Sequence, residues 1–275
     1  MGFIKVFRKN MLSSPVYIFS LIFLVLLITL SLLAPLIPID PAKVNISQVS
    51  KGPSFTNLFG TDELGRDYFI RVLYGGRISL LVGFLSMLAA TTIGVFIGVT
   101  AGYFGGWLDS LLMRFLDVLS SIPWLILVIV LSVFLKPGLL TIIIVIGAFS
   151  WMNTARLMRG ETLALKERDY VQYSKFIGES SFSIIKKHIL PFLLPTMLVS
   201  ASINISSAIM TESALSFLGL GIQPPMASWG SLLQTAQDKL QNAAYIAIIP
   251  GLLIALTVYS FNNLGELIKE SLEEI

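Results

Sequence analysis

The chain has no cysteine and a single histidine, His188. The first absence excludes disulfides, thiolate metal sites and a cysteine nucleophile. The second excludes the paired histidines that a helical metalloprotease site needs at i and i+4. None of its 21 glycines is followed by lysine, so the loop that cradles nucleotide phosphates, which ends in Gly-Lys-Ser/Thr, is missing. No Gly-x-Ser-x-Gly elbow is present either. Charge is scarce as well: 13% of 275 residues are Asp, Glu, Lys or Arg, about half the share in a soluble domain. The net charge of +3 is small and no basic patch is interleaved with aromatics, which speaks against nucleic acid as a partner.

What is abundant is apolar surface. Hydrophobic residues make up 55% of the chain, and the mean hydropathy is +0.83. One core of this size cannot hide that surface, so lipid is the expected solvent for much of the chain. Charge-free stretches at 10–39, 78–108, 118–135, 137–155, 189–211 and 240–265 are long enough for six membrane spans. The first is too long for a cleavable signal and reads as a retained span behind a basic start. A seventh stretch, 213–237, is broken by Gly219, Gly221, Pro224 and Pro225. Its backbone would lose hydrogen bonds in lipid, so it is placed outside or under a protein cover. Six spans put both termini on one side. Twelve of the nineteen Lys and Arg residues then share that side, which the positive-inside bias makes cytoplasmic.

Within this frame a few residues stand out. Gly94, Gly98 and Gly102 repeat at four-residue spacing in the second span, the register that lets another helix approach closely; packing, in this chain or another subunit, competes with a hinge role. Ser120, Ser121 and Pro123 are expected to open the third span, either as a helix start or as a gate. Asn204, Ser206 and Ser207 are polar within the fifth, to bond a neighbouring helix or to line a path. Glu212 ends that span, either as an interfacial acid in water or paired with an outer arginine, or as a functional group. The most polar loop, 156–190, contains Asp169 followed by Gln172 in the form of a capping box, with Gly178 as a helix stop. Between them lie Tyr170, Val171, Tyr173, Phe176 and Ile177. A two-turn helix this apolar is marginal in water and needs a surface. The membrane interface, the protein's own helix ends and a groove in a soluble partner all remain open on these residues alone.

Three blocks carry a resemblance: "FGTDELGRDYFIRVLYGGRISLLVG" (59–83), "ARLMRGETLALKERDYVQYSKFIGESSFSIIKKHILP" (155–191) and "ESALSFLGLGIQPPMASWG" (212–230). With the span count, they make the chain resemble the permease subunits of type I ABC importers, in the dipeptide, oligopeptide and nickel group, and within it the C-type permease. The resemblance implies an all-α integral membrane fold of six transmembrane helices in the cytoplasmic membrane, with both termini cytoplasmic. Residues 1–77 would supply the first helix and an outer loop, and 78–275 the permease domain. It also implies a second permease of similar fold, two ATPase subunits that bind ATP and Mg, and a substrate-binding protein outside; this chain would hold no cofactor or metal and do no covalent chemistry. Residues 169–178 match the family's coupling loop, whose pattern is Glu-Ala-Ala, three residues, Gly, and later Leu-Pro. Gly178, Leu190 and Pro191 stand as expected, whereas Gln172, Tyr173 and Ser174 replace Glu-Ala-Ala. Segment 59–77 is expected to form an amphipathic helix on the outer face, with Arg66, Asp67 and Arg71 either docking the binding protein or anchoring to lipid headgroups, and with Gln223 and Trp229 as further docking candidates. Peptides are the expected cargo. Nickel or metal chelates and oligosaccharides are the alternatives within the family, and a self-contained channel or secondary transporter is the alternative outside it.

Overall fold

A computed structural model describes residues 3–274, which form helices joined by short loops and one structured outer segment, with no β-strand among the described residues. The first helix, α1 (Phe3–Ser13), stops before Pro15. Pro15 lacks an amide hydrogen and suits the first turn of the next helix, α2 (Pro15–Leu33). A tight turn prolongs α2 to give an apolar rod of 22 residues, Pro15–Leu36. After an extended outer segment come α3 (Tyr68–Phe104), α4 (Gly106–Ser121), α5 (Trp124–Phe134) and α6 (Leu139–Lys166). The loop after α6 holds α7 (Asp169–Phe176) and a short α8 (Ser181–Ile184), which leads through a wider π turn into α9 (Leu190–Phe217). A short α10 (Trp229–Ala236) and a long α11 (Tyr245–Glu273) complete the fold.

Helices α2, α3, α6, α9 and α11 are each long and apolar enough to cross a membrane. The sixth crossing is the bent pair α4–α5, whose axes meet at 80°. The packing of α3 against α6 requires this return. Gly94 faces Thr154, Gly98 faces Ala155 and Met158, and Gly102 faces Thr162, so residue numbers rise together along both helices. The two therefore run parallel, and the chain must travel back between them.

The expected third span, 118–135, is thus not one straight helix. Ile122 precedes a proline and is forced into extended backbone, at φ −88 and ψ 128. The helix breaks there, and the 11 residues of α5 reach only roughly 16 Å, about half the hydrocarbon thickness. Ser120 and Ser121 end α4 rather than opening a span, and Pro123 occupies the break.

Close approach of α3 to α6 is what the glycine register provides. A Cβ on Gly98 would stand 2.4 Å from the Ala155 carbonyl oxygen and 2.7 Å from Met158 Cβ. The register packs helices of one chain. Helix α9 lies across both and α11 packs on α9, where Gly265 meets Ser202. Asn263 Nδ2 donates to Ser20 Oγ at 3.1 Å and ties α11 to α2. Both chain ends meet at one end of the bundle, where Lys9 Nζ lies 3.1 Å from Glu274 Oε2.

The outer segment departs from expectation. Residues 59–67 form a hydrogen-bonded loop, with Gly60 and Gly65 in left-handed backbone at φ +73 and +70, not an amphipathic helix. The helix begins only at Tyr68, because Asp67 caps it by accepting from the Ile70 amide at 3.0 Å. It then continues through residue 77 into the membrane, so the expected division at 77 falls within α3. Asp62 gathers the loop, accepting from the Leu64 and Arg66 amides at 2.9 Å and from Arg66 Nε at 2.6 Å. Arg71 Nε lies 3.1 Å from the same carboxylate.

The α3–α6 contact yields a direct test. Gly98→Val should destabilise the purified protein by about 1–3 kcal/mol, the usual cost of overpacking, read as a lower thermal midpoint. Gly160→Ala, with open space around it, should leave the midpoint unchanged or slightly raised. Equal midpoints for both variants would contradict the close approach.

Candidate functional site

The loop helix α7 is anchored on one side and bare on the other. Val171 and Ser174 are buried, Val171 in an apolar cluster with Val95, Val99 and Tyr103 of α3, Met158 of α6, and Ile184, Ile189 and Leu193. Ser174 Oγ donates to the Tyr170 carbonyl at 3.0 Å and lies 3.3 Å from His188 Nε2. Tyr170 stacks on Phe192 with centroids 5.5 Å apart. On the opposite face Tyr173, Phe176 and Ile177 are 65%, 89% and 60% exposed.

The start of this helix differs from the expected capping box. Arg168 is the N-terminal cap, and Asp169 is the first helical residue and makes no side-chain cap. Gln172 Nε2 turns back to donate to the Lys166 carbonyl at 2.9 Å, which fastens the turn between α6 and α7. The stop is as expected. Gly178 adopts φ +82. Its amide donates to the Lys175 carbonyl and the Glu179 amide to the Ser174 carbonyl, each at 3.0 Å, the paired bonds of a Schellman ending. Glu179 then binds Lys187 Nζ at 2.8 Å and Ser183 Oγ at 2.6 Å. These two donors, the lysine foremost, hold its carboxyl down at about 2, so the contact persists across the physiological pH range.

A cavity of about 550 Å³ opens beside the α4–α5 break and is closed behind by α6 and α9. Four of the expected residues come together in its wall: Ser120, Pro123, Asn204 and Ser207. Ser121 does not join them; its hydroxyl donates to the Val118 carbonyl on its own helix at 2.7 Å. Asn153, Thr154, Arg156 and Trp124 also line the cavity. Sequence reasoning missed them because they share no motif: Asn153, Thr154 and Arg156 sit where a charge-free run meets a charged loop, and Trp124 lies within an apolar run. Behind the wall, Asn204 Nδ2 donates to Thr91 Oγ1 at 3.1 Å and Thr154 Oγ1 at 3.0 Å, and Thr154 shares a 3.0 Å bond with Ser200. Asn204 therefore both lines the cavity and clamps α3, α6 and α9 together. Ser206 turns away, donating to the Ser202 carbonyl at 3.1 Å.

Glu212 lies at neither the water surface nor the cavity. It is fully buried and, among the described residues, makes no ion pair. Ser79 Oγ donates to its Oε2 at 2.9 Å and Ser216 Oγ to its Oε1 at 2.7 Å. Ser79 in turn accepts from the Trp229 amide at 3.2 Å, and Ser216 from the Ile222 amide at 3.1 Å. One carboxylate thus holds α3, the end of α9, the broken segment 218–228 and the start of α10.

Two of the five docking candidates are therefore interior. Trp229 is fully buried, its indole N–H donating to the Val72 carbonyl at 3.1 Å, and Arg71 is buried beside Asp62. The partner of Trp229 lies far off in sequence and that of Arg71 is brought round by the turn at Gly65, neither of which the local pattern shows. Arg66 is held by Asp62 and Glu63, Asp67 by its cap and Asn57, and Gln223 by the Gly219 carbonyl. These three stay partly exposed.

Comparison with known proteins places this geometry in a family. Residues 94–273 match the binding-protein-dependent transport system inner membrane component family. The chain is 39% identical over 268 residues to the dipeptide transport system permease protein DppC of Bacillus subtilis (strain 168), covering 97% of this chain and 82% of that protein. It is 38% identical to the glutathione transport system permease protein GsiD of Pectobacterium atrosepticum, covering 97% and 89%. It is 37% identical to the oligopeptide transport system permease protein OppC of Haemophilus influenzae, covering 97% and 86%. Among solved structures, the inward-facing MetNI methionine ABC transporter aligns with a TM-score of 0.59 at 20% identity, over 72% of this chain and 93% of that one, a likeness of fold.

The role of Glu212 can be measured. Glu212→Ala strands the Ser79 and Ser216 hydroxyls, so stability should fall by roughly 2–6 kcal/mol, at about 1–3 kcal/mol for each of the two unsatisfied groups, and the Trp229 fluorescence should shift toward that of a wetter indole. An unchanged midpoint and spectrum would show that the carboxylate holds nothing together.

Proposed function

The chain belongs to the binding-protein-dependent transport system inner membrane components, and on that premise we propose that it forms half of the transport path of an ATP-driven peptide importer. A second permease of similar fold completes the path. Two ATPase subunits, which carry the ATP and Mg, dock on the cytoplasmic side, and a substrate-binding protein delivers cargo from outside. Peptide is favoured because the dipeptide, glutathione and oligopeptide permeases named above share well over a third of their residues with the chain. Both termini are cytoplasmic in this reading, on the side of α7, the side that the Lys and Arg distribution favours.

The observation that carries the proposal is the two-sided character of α7. Its inner face is locked into the bundle through Val171 and Ser174, and its outer face presents Tyr173, Phe176 and Ile177 with nothing among the described residues to cover them. A short apolar helix held out in this way fits a groove in a soluble partner. The replaced Glu-Ala-Ala residues are consistent with that role. Ser174 fills a small buried site as alanine would, while Gln172 is spent on the α6–α7 turn. The contact then rests on apolar packing rather than on a salt bridge from Gln172.

Motion has a short route inward. Helix α6 is continuous from the cavity wall at Asn153, Thr154 and Arg156 to Lys166, and the Gln172 bond joins its end to α7. A displacement of α7 by the ATPases therefore moves α6, and with it the α6 side of the cavity wall, as one body against the loosely held α5, and cavity access alternates as the two permease halves rock.

Co-purification tests the proposal. Phe176→Asp and Ile177→Asp should each reduce recovery of the ATPase subunits encoded beside this chain by at least tenfold, and Tyr173→Ala should uncouple ATP hydrolysis from peptide uptake. Full recovery with unchanged uptake in all three would sink the coupling role.

A further inference from the structure

The transport cavity has one fixed charge among its lining residues, Arg156. Its Nη2 donates to Asp117 Oδ1 at 2.8 Å across the gap between α6 and α4. One turn further along α6 a second arginine makes a parallel link to α4. Arg159 binds Asp109 through two bonds, Nε to Oδ1 at 2.5 Å and Nη2 to Oδ2 at 2.6 Å. The two pairs are built differently. The Arg159 pair is two-pronged and sheltered, with side chains 34% and 15% exposed; that geometry fixes α4 in place. The Arg156 pair is a single bond between side chains 47% and 66% exposed, and such pairs open at little cost. One pair is a latch, and the other is free to exchange.

We propose that Arg156 and Asp117 form a charge-exchange site for peptides at the inner mouth of the path, in which a carboxylate of the passing peptide takes Arg156 and an ammonium group takes Asp117. The inference rests on the peptide-import reading above. A peptide with free termini carries both charges, and an apolar passage without counter-charges would bar it. The resting ion pair leaves the cavity neutral; the peptide replaces each partner with a like charge, so no charge is left uncompensated in either state. Neighbouring groups suit the rest of such a ligand. Asn153 and Ser207 offer hydrogen bonds to peptide groups, and Trp124 and Phe149 offer apolar surface. The Arg156 position, 17 residues beyond the outer start of α6 at Leu139, lies about 25 Å down the helix, near the cytoplasmic boundary where cargo must leave.

The test uses the assembled importer with its own binding protein and ATPases in vesicles. Two tripeptides with apolar side chains serve as probes, one with free termini and one with its C-terminus amidated. Each uptake rate is normalised to that of the unsubstituted complex. Arg156→Gln should slow the free-carboxylate peptide about tenfold more than the amide, the worth of one hydrogen bond to a charged group. The exchange R156D/D117R, which rebuilds the pair with its charges reversed, should restore assembly and invert the preference at the cavity wall. Equal slowing of both peptides in R156Q together with an unaltered preference in R156D/D117R would overturn the charge-exchange site and leave peptide import standing. Failure of the unsubstituted complex to carry either tripeptide would overturn both readings.

Discussion

Contact between α3 and α6 along Gly94, Gly98 and Gly102 is the constraint on which the rest of the structure depends. Two helices with side chains at these positions could not approach as they do, because each added Cβ would meet Thr154, Ala155, Met158 or Thr162 at less than 3 Å. Lipid tails are as apolar as leucine, so association here rests on close packing and hydrogen bonds, not on the hydrophobic effect. The consequence is topological as well as energetic. Two parallel helices in contact require a return crossing, and the proline break at 122–123 lets α4 and α5 make it as a bent pair that leaves a cavity at its elbow.

Polar clamps reinforce this pair at two depths. Midway, Thr91, Thr154, Ser200 and Asn204 link α3, α6 and α9. At the end next to α10, Glu212 collects Ser79 and Ser216 and, through them, the amides of Trp229 and Ile222. An unpaired acid in such a place is costly unless hydrogen bonds satisfy it, and the hydroxyls supply them. At the opposite end the cluster around Val171 fastens α7 to α3, α6 and α9 together. The loop helix is thus the exposed tip of a rigid assembly, whereas α5, among its described side chains, has only Val128 buried and meets the bundle mainly through α6. The stiff part touches the ATPase partner in the proposed function, and the loosely held part borders the path.

Much of this was legible in the residues. Charge-free runs marked the spans, the spacing of the three glycines marked the helix contact, and Gly178 marked the end of α7. Local chemistry decides each of these, so sequence reasoning reaches them. The bend at Pro123 was hidden because an apolar run looks the same whether it is straight or broken. Trp229 and Arg71 were misplaced because their partners, the Val72 carbonyl and Asp62, belong to a fold in which the outer loop, α3 and α10 converge. The amphipathic pattern over 59–77 failed because Asp67 starts the helix late and Asp62 draws the preceding residues into a loop. Asp169 was assigned as a cap where Arg168 takes that place, a shift of one residue that leaves Gln172 free to bridge to α6.

In the proposed function α3, α6 and α7 move as one body while α5 moves against them. The absence of native cysteine makes this directly measurable with pairs of introduced spin labels in the assembled transporter. One pair, Phe96→Cys with Lys175→Cys, spans α3 and α7; the other, Leu157→Cys with Ile126→Cys, spans α6 and α5. On ATP binding the first distance should stay fixed and the second should change. A change in the first with a constant second distance would contradict the account.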